Sequence, residues 1–237
     1  MCNSGHGRLK AVIPDNFLNN FLLKTMDEKL NSSILGTKDY WDEVYKGELK
    51  NYSDFLDVGE EWFGESVCKR IVKWVTQNMR EDDNIIDIGC GNGKLLHDLS
   101  ENGFKALFGI DYSENAIDLA NSIIKNSSAN IKFTVCNILE DSVEPIYNLA
   151  LDKGTYDAIS LDPDNAETKR AKYVQAVWDL LEEDGLFFIA SCNWTEDELK
   201  KHFSSCFNYV KTLPSPSFAF GGHTGSTVTS IVFKKKQ

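Results

Sequence analysis

The residues best placed to do chemistry are the run DIGCGNGK, positions 87 to 94, and a second acid, Asp111, twenty residues beyond Gly91. Glycine admits positive φ and lets the backbone approach a ligand, and a helix that starts after such a loop offers unpaired N–H groups. An acid at that distance, ending the next strand, is placed to accept hydrogen bonds from a ribose diol. The chemistry implied is recognition of a nucleoside-bearing cofactor. A dinucleotide loop, G-x-G-x-x-G, would put its third glycine where this chain has Lys94. That weakens the pyrophosphate reading and nicotinamide redox chemistry with it, and the G-x-G-x-G form led by Asp87 points elsewhere. A second constellation is LALDKGTYDAISL, residues 149 to 161, in which an apolar run stops at Asp152 and Lys153, turns at Gly154 and resumes at Ala158.

These residues need strands that end where they stand. Short apolar runs at 84–88, 106–110, 131–135, 147–151 and 186–191 alternate with helical patterns at 93–102, 114–126 and 164–183. Such alternation predicts an α/β fold with a mostly parallel sheet, right-handed crossovers and helices on both faces. Asp162 and Pro163 read as the start of the last of these helices and Gly185 as the residue just past its end. Ala158–Leu161 reads as a lead-in to that helix. A further helix at 195–204 precedes extended runs at 207–213 and 227–233, joined by the turn-rich PSPSFAFGGHTGS, so a C-terminal antiparallel pair is expected. Upstream, Phe17, Leu18, Phe21, Leu22, Met26 and Leu30 recur at helical spacing, as a docked or a weakly ordered helix. Thr37 reads as the cap of a short helix through Tyr40, Trp41, Val44 and Tyr45, and NYSDFLDVGEEWFGES as an acidic, aromatic connection. From Glu65 a helix places Val67, Ile71, Trp74 and Val75 on one face.

The 237 residues carry a formal net charge of −11, with 42% hydrophobic and 26% charged residues. No apolar run approaches the roughly 20 residues that span a bilayer, so no membrane partner is expected. The charge argues against a surface that neutralises phosphates, so direct nucleic-acid binding is not expected; it suits a basic partner or serves solubility. Six cysteines without a C-x-x-C pair read as reduced thiols of an intracellular protein. The N-terminus lacks the apolar core of a signal peptide and the look of a transit peptide, so cytoplasmic residence is expected, with the nucleus open. A monomer is expected. No metal site is expected either, since Asp162 and Asp164 read as helix-start residues and His97, His202 and His223 lie far apart.

From residue 82 to 233 these features resemble the S-adenosylmethionine-dependent methyltransferases of the seven-strand, Rossmann-like class. The resemblance implies S-adenosylmethionine as cofactor, with Asp87 near its methionine moiety, the backbone of Gly89, Cys90, Gly91 and Gly93 beneath it, and Asp111 on its ribose. It places Asn137 or Ile138 beside the adenine and Tyr112 over the adenine face. DKGT stands where enzymes acting on exocyclic base amines carry [DNS]-P-P-[YFW], which disfavours that substrate class. A narrower resemblance runs from Gly36 to Phe233. GTKDYWDEVY, GEEWFGE, DIGCGNG, GIDYSENAI, DKGTYDAISLDPDN, ASCNWTEDEL and FAFGGHTGS follow the order found in the methyltransferase-like protein 10 family, elongation factor 1-alpha lysine methyltransferases.

This narrower resemblance implies a lysine acceptor on a basic, folded translation factor. Asp152 then becomes the main acceptor-site residue, capturing and orienting the lysine or accepting its proton, with Trp62, Phe63, Trp194 and Phe220 as walls of the lysine channel. Lys153 is expected to pair with Asp157 or to point to solvent. Glu60, Glu61 and Glu65 either attract a basic substrate or form a solvated loop. The expected organisation is an N-terminal extension, 1–35, and a methyltransferase domain, 36–237, divided into a helical, aromatic segment, 36–81, and a cofactor-binding core, 82–237. Methyl transfer to a small molecule or nucleic acid, or a catalytically silent cofactor-binding module, are the alternative readings.

Overall fold

A computed structural model describes residues 30–237 apart from positions 126, 128, 145, 216, 221, 222 and 227, with the backbone alone across 217–220 and 223–226. The helical spacing read upstream of residue 30 lies outside the described residues. Seven strands form one sheet in the order β3-β2-β1-β4-β5-β9-β6. Strands β1 (Asn84–Ile88), β2 (Ala106–Asp111), β3 (Ile131–Val135), β4 (Tyr147–Lys153) and β5 (Leu181–Ser191) run parallel. Strand β6 (Phe207–Thr212) pairs antiparallel with β9 (Thr229–Lys235), which also pairs antiparallel with β5. Between β6 and β9 a separate hairpin joins β7 (Ser217–Phe220) to β8 (His223–Ser226), two strands that the turn-rich composition of this segment conceals.

The central strands are apolar runs without alternation because helices cover both faces. Ile85, Ile86, Leu149, Ala150, Leu151, Phe187, Phe188 and Ile189 are all fully buried. The helices are α1 (Lys38–Phe55), α2 (Glu65–Asn78), α3 (Lys94–Glu101), α4 (Glu114–Ile124), α5 (Thr155–Ser160), α6 (Ala166–Asp179) and α7 (Glu196–Phe203). Helix α2 buries Val67, Ile71, Trp74 and Val75, the face that its spacing predicts. Helix α7 opens with a capping box in which Thr195 and Glu198 exchange bonds. Among the described residues no helix is long and apolar enough to cross a membrane.

Three boundaries differ from expectation. Helix α1 runs on through NYSDF, because Leu49 and Tyr52 extend the stripe begun by Trp41 and Tyr45 and pack with it against Ala116 and Leu119 of α4. The helix read at 164–183 stands as α6, over 166–179, with Asn165, at φ 59°, opening it in place of Asp162; the lead-in before it is a separate helix, since Ala158, Ile159 and Ser160 already belong to α5. Gly185 is no helix terminus. It lies in β5 beside Asp184, at φ 44°, where the register with β4 slips between Tyr147 and Leu149. The slip turns Glu183 and Asp184 to solvent and lets both Leu181 and the run from Phe187 enter the core.

The Phe188 ring is fully buried, 5.3 Å from that of Trp74, and joins the sheet to α2. Phe188→Ala should cost about 3–5 kcal/mol of stability, read as a lower denaturant midpoint at an unchanged slope.

Candidate active site

The glycine loop is clamped to the neighbouring strand. The N–H groups of Gly89 and Cys90 both donate to the Ile110 carbonyl, at 2.8 and 2.9 Å, which brings the end of β2 under the loop. Asp111 follows. Its Oδ2 accepts from the Gly91 N–H at 3.1 Å and its Oδ1 from the Ser113 N–H at 2.9 Å. Gly91 (φ 53°) and Gly93 (φ 73°) are left-handed, and a Cβ would stand 2.4 Å from the Tyr45 hydroxyl at the first and 2.5 Å from the Phe133 ring at the second. Only glycine meets both demands.

Two acids in this loop have acceptor capacity left over. Asp87 is 2% exposed, and among the described residues no donor reaches its carboxylate within hydrogen-bond distance. Burial pushes its pKa up to about 7, with the Lys153 ammonium opposing the rise and Glu61 and Asp111 adding to it. A buried carboxylate in this condition is best satisfied by a bound ammonium. Burial likewise raises Asp111 to about 6 against the pull of its two N–H donors, and each oxygen retains capacity for a hydroxyl. The Ser113 hydroxyl beside it is buried without a partner among the described residues. An ammonium acceptor, a hydroxyl-pair acceptor and a close backbone between them fit a nucleoside that carries an amino acid.

The other residues read toward this side are placed as follows. The Asn137 N–H donates to the Asp141 carboxylate at 2.8 Å and its Oδ1 accepts from the Leu139 N–H at 3.1 Å, which leaves the amide Nδ2 for another partner, while Ile138 is buried. Tyr112 is half-buried, with the Lys38 ammonium 5.5 Å from its ring centroid. The Cys90 sulfur turns back onto Gly109 of β2, and burial holds its thiol well above the usual range, so it packs as a neutral group.

On the acceptor side Asp152 is enclosed by the protein's own donors. The residue is 1% exposed: Oδ1 accepts from the Thr155 N–H at 2.8 Å, and Oδ2 accepts from the Tyr156 N–H at 2.9 Å and from the Tyr173 hydroxyl. The cause is local. Gly154, at φ 95°, turns the chain straight from β4 into α5, and the unpaired N–H groups at the head of that helix take the nearest carboxylate. Oδ1 keeps one acceptor position. Burial raises Asp152 to about 7 while the three donors pull the other way.

Lys153 neither pairs with Asp157 nor points to solvent. Its ammonium donates to the Trp62 carbonyl at 3.1 Å and pairs with Glu61 at 3.2 Å, the two side chains being 14% and 22% exposed. Asp157 is buried and accepts from the Ser191 hydroxyl and the Cys192 N–H. Glu61 also takes the Cys68 thiol at 2.8 Å. The segment Glu61-Trp62-Phe63 is thereby strapped over the end of β4, and a Cβ on Gly154 would lie 3.1 Å from the Phe63 ring. Trp62 packs edge-on against Trp41, with centroids 4.8 Å apart.

Trp62 and Phe63 are therefore brought to this end of the sheet, and so is Trp194, three residues beyond the end of β5, whose backbone N–H donates to the Ser191 hydroxyl at 3.0 Å. Trp194 is buried, with its indole N–H on the Ser160 hydroxyl and its ring against His202, so it packs between α5 and α7. The side chain of Phe220 lies outside what is described. Of the loop acids, Glu61 serves the strap, Glu65 pairs with Lys69 on the surface, and the Glu60 N–H donates to Glu48. His97, Asp98 and Glu101 bring three ligand-capable atoms within 4.8 Å on α3, where Asp98 is already paired with Lys94. Sequence reasoning missed Tyr45 under the glycine loop and the Lys153–Glu61 pair. Tyr45 could have been found from its place on the Trp41 stripe, whereas the ion pair joins residues too distant in the chain to leave a local signal.

A methyltransferase-domain family model matches residues 79–235. The chain is 44% identical over 214 residues to "EEF1A lysine methyltransferase 2" of Danio rerio, covering 89% of this chain and 92% of that one. It is 40% identical over 227 residues to "Protein-lysine N-methyltransferase efm4" of Schizosaccharomyces pombe, covering 86% and 95%. Among solved structures it is similar to the N-methyltransferase NodS of Bradyrhizobium japonicum in complex with S-adenosyl-L-homocysteine, with a TM-score of 0.63 at 16% identity, covering 83% and 99%. That likeness shows the fold.

Asp87 yields a pH dependence. Its folded pKa, about 7, lies above the unfolded value near 3.9, so its contribution to stability is present below about pH 4 and is lost as pH rises through 7. The thermal midpoint of the ligand-free protein should fall between pH 5 and 8, and Asp87→Asn should fall less and melt higher at pH 8. Equal declines in the two proteins would contradict the assignment. Tyr173→Phe removes one donor from the buried Asp152 and should cost about 1.5–3 kcal/mol, measured by denaturant unfolding.

Proposed function

The chain belongs to the family of EEF1A lysine methyltransferase 2, within the methyltransferase-domain proteins, and we propose that it transfers a methyl group from S-adenosylmethionine to a lysine of elongation factor 1-alpha. The observation that carries the cofactor part is the buried, donorless Asp87 carboxylate at the head of the glycine loop, with Asp111 one strand away. Asp87 takes the cofactor's ammonium, Asp111 its ribose hydroxyls, and Asn137, Ile138 and Tyr112 border its adenine. The cofactor supplies a methyl group on a sulfonium, which is already activated for displacement.

The protein's task is alignment and exclusion of water. Asp87 pairs with Leu151 and Ile88 with Asp152, so the seat of the cofactor's amino-acid end and the acceptor turn lie on adjacent strands, one residue apart in register. A lysine has a reference pKa near 10.4, and presenting its free amine at pH 7 costs roughly 4–5 kcal/mol unless the site helps. The aromatic strap of Trp62 and Phe63 helps by desolvation, whereas a nearby carboxylate opposes it. Asp152, held by three donors, has one position on Oδ1 with which to orient the incoming nitrogen. Once the ammonium has lost its proton to solvent, these residues would hold the free amine facing the cofactor's methyl group. The formal charge of −11 suits a basic protein substrate.

Incubation with label in the cofactor's methyl group and purified elongation factor 1-alpha should place label on a lysine, located by mass spectrometry. Absence of label from a preparation that binds cofactor would overturn the substrate assignment. Asp111→Ala should weaken cofactor binding tenfold or more by calorimetry, and unchanged affinity would remove the ribose role.

A further inference from the structure

The end of helix α1 carries an exposed surface that no element among the described residues packs against. Phe55, Leu56 and Val58 are 70%, 75% and 41% exposed. Leu56 also holds a left-handed backbone at φ 57°, a conformation that glycine or asparagine adopts at less cost. A large apolar side chain is thus retained where a smaller residue would stabilise the molecule. The charges repeat this pattern. A helix C-terminus is the negative pole and is stabilised by cations, yet the last turn of α1 contains no basic residue, and Asp54, Asp57 and Glu60 stand exposed around it. Beneath them Glu48 accepts the Glu60 N–H through Oε1, and its Oε2 is buried with no partner among the described residues.

Each of these features disfavours the isolated chain, and together they complement a basic surface that presents an apolar side chain. The same segment continues directly into Glu61, Trp62 and Phe63, which Lys153 fastens at the end of β4. The geometry points to Asp54–Glu60 as the docking surface for the body of the protein substrate, a basic folded partner gripped beside the position where its lysine is methylated. The inference rests on the lysine-methyltransferase reading and adds that recognition extends beyond the lysine itself.

The test uses the full chain with elongation factor 1-alpha. Phe55→Ser combined with Val58→Ser should raise the KM for the folded factor tenfold or more, with kcat and cofactor Kd within twofold of wild type. Asp54→Lys combined with Asp57→Lys should raise KM and flatten its salt dependence. Leu56→Gly should raise the melting temperature and still raise KM, a pairing that a purely structural role would not produce. An unchanged KM in all three variants overturns the proposal, as does a loss of self-association in light scattering that marks the face as a contact between copies. Calorimetric binding of the factor separates this inference from the activity: a wild type that binds the factor through this face but labels no lysine loses the activity, and a variant that binds as tightly as wild type loses the surface.

Discussion

The acceptor side of the molecule is organised by one buried carboxylate. Asp152 joins three elements: it is the next-to-last residue of β4, it takes the first N–H groups of α5, and it receives the Tyr173 hydroxyl from α6. Burying a charge at a strand end is costly, and here three donors offset it, each of them fixing an element that would otherwise be placed by apolar contact alone. The arrangement propagates outward. Tyr156, whose N–H is one of the donors, packs its ring against Tyr173 and Phe203 and meets His202 through its hydroxyl. Phe203 in turn packs against Phe187 and Phe233 of the sheet. The orientation of α5, α6 and α7 against the sheet thus converges on Asp152.

The cofactor side obeys the opposite economy. Among the described residues Asp87 is buried with no donor to offset it, and Asp111 is only half-satisfied by Gly91 and Ser113. Without its ligand, the protein holds these charges at an electrostatic loss, and binding removes that loss. On the proposed reading, affinity for the cofactor comes less from new contact area than from groups kept dissatisfied in advance. Lys153 is the cation that moderates Asp87 and also fastens the strap, so the seat of the cofactor and the cover of the acceptor turn share one charge.

What could be read from the chain alone follows the range of the interaction concerned. The glycines, the strand-end acids and the α2 stripe are local, so Asp87, Gly91, Asp111, Val67 and Ile71 stand where their spacing predicts. Asp152 was legible as an acid near a strand end but not in its condition, because its burial depends on Tyr173 and on a helix that begins two residues after the strand. Lys153 was misread because its partner Glu61 belongs to a loop whose course over β4 is set by tertiary packing. Trp194 stands at the expected end of the sheet, but its contacts with Ser160 and His202 come from α5 and α7, which leave no local signal. At β5, a slip in pairing hid inside three acids and a glycine that read as a helix end.

Sheet order constrains the way this chain is made. Strand β9, the last element, sits between β5 and β6, and the edge strand β6 pairs with no other strand in the sheet. Every nascent chain short of Thr229 therefore leaves the edge of β5 bare, with Phe187, Phe188 and Ile189 along it and no strand yet available to cover them. Synthesis from the N-terminus can assemble the cofactor half first, but the sheet closes only when the final strand emerges. A stop at Thr229 would remove β9 and with it the strand that joins β5 to β6.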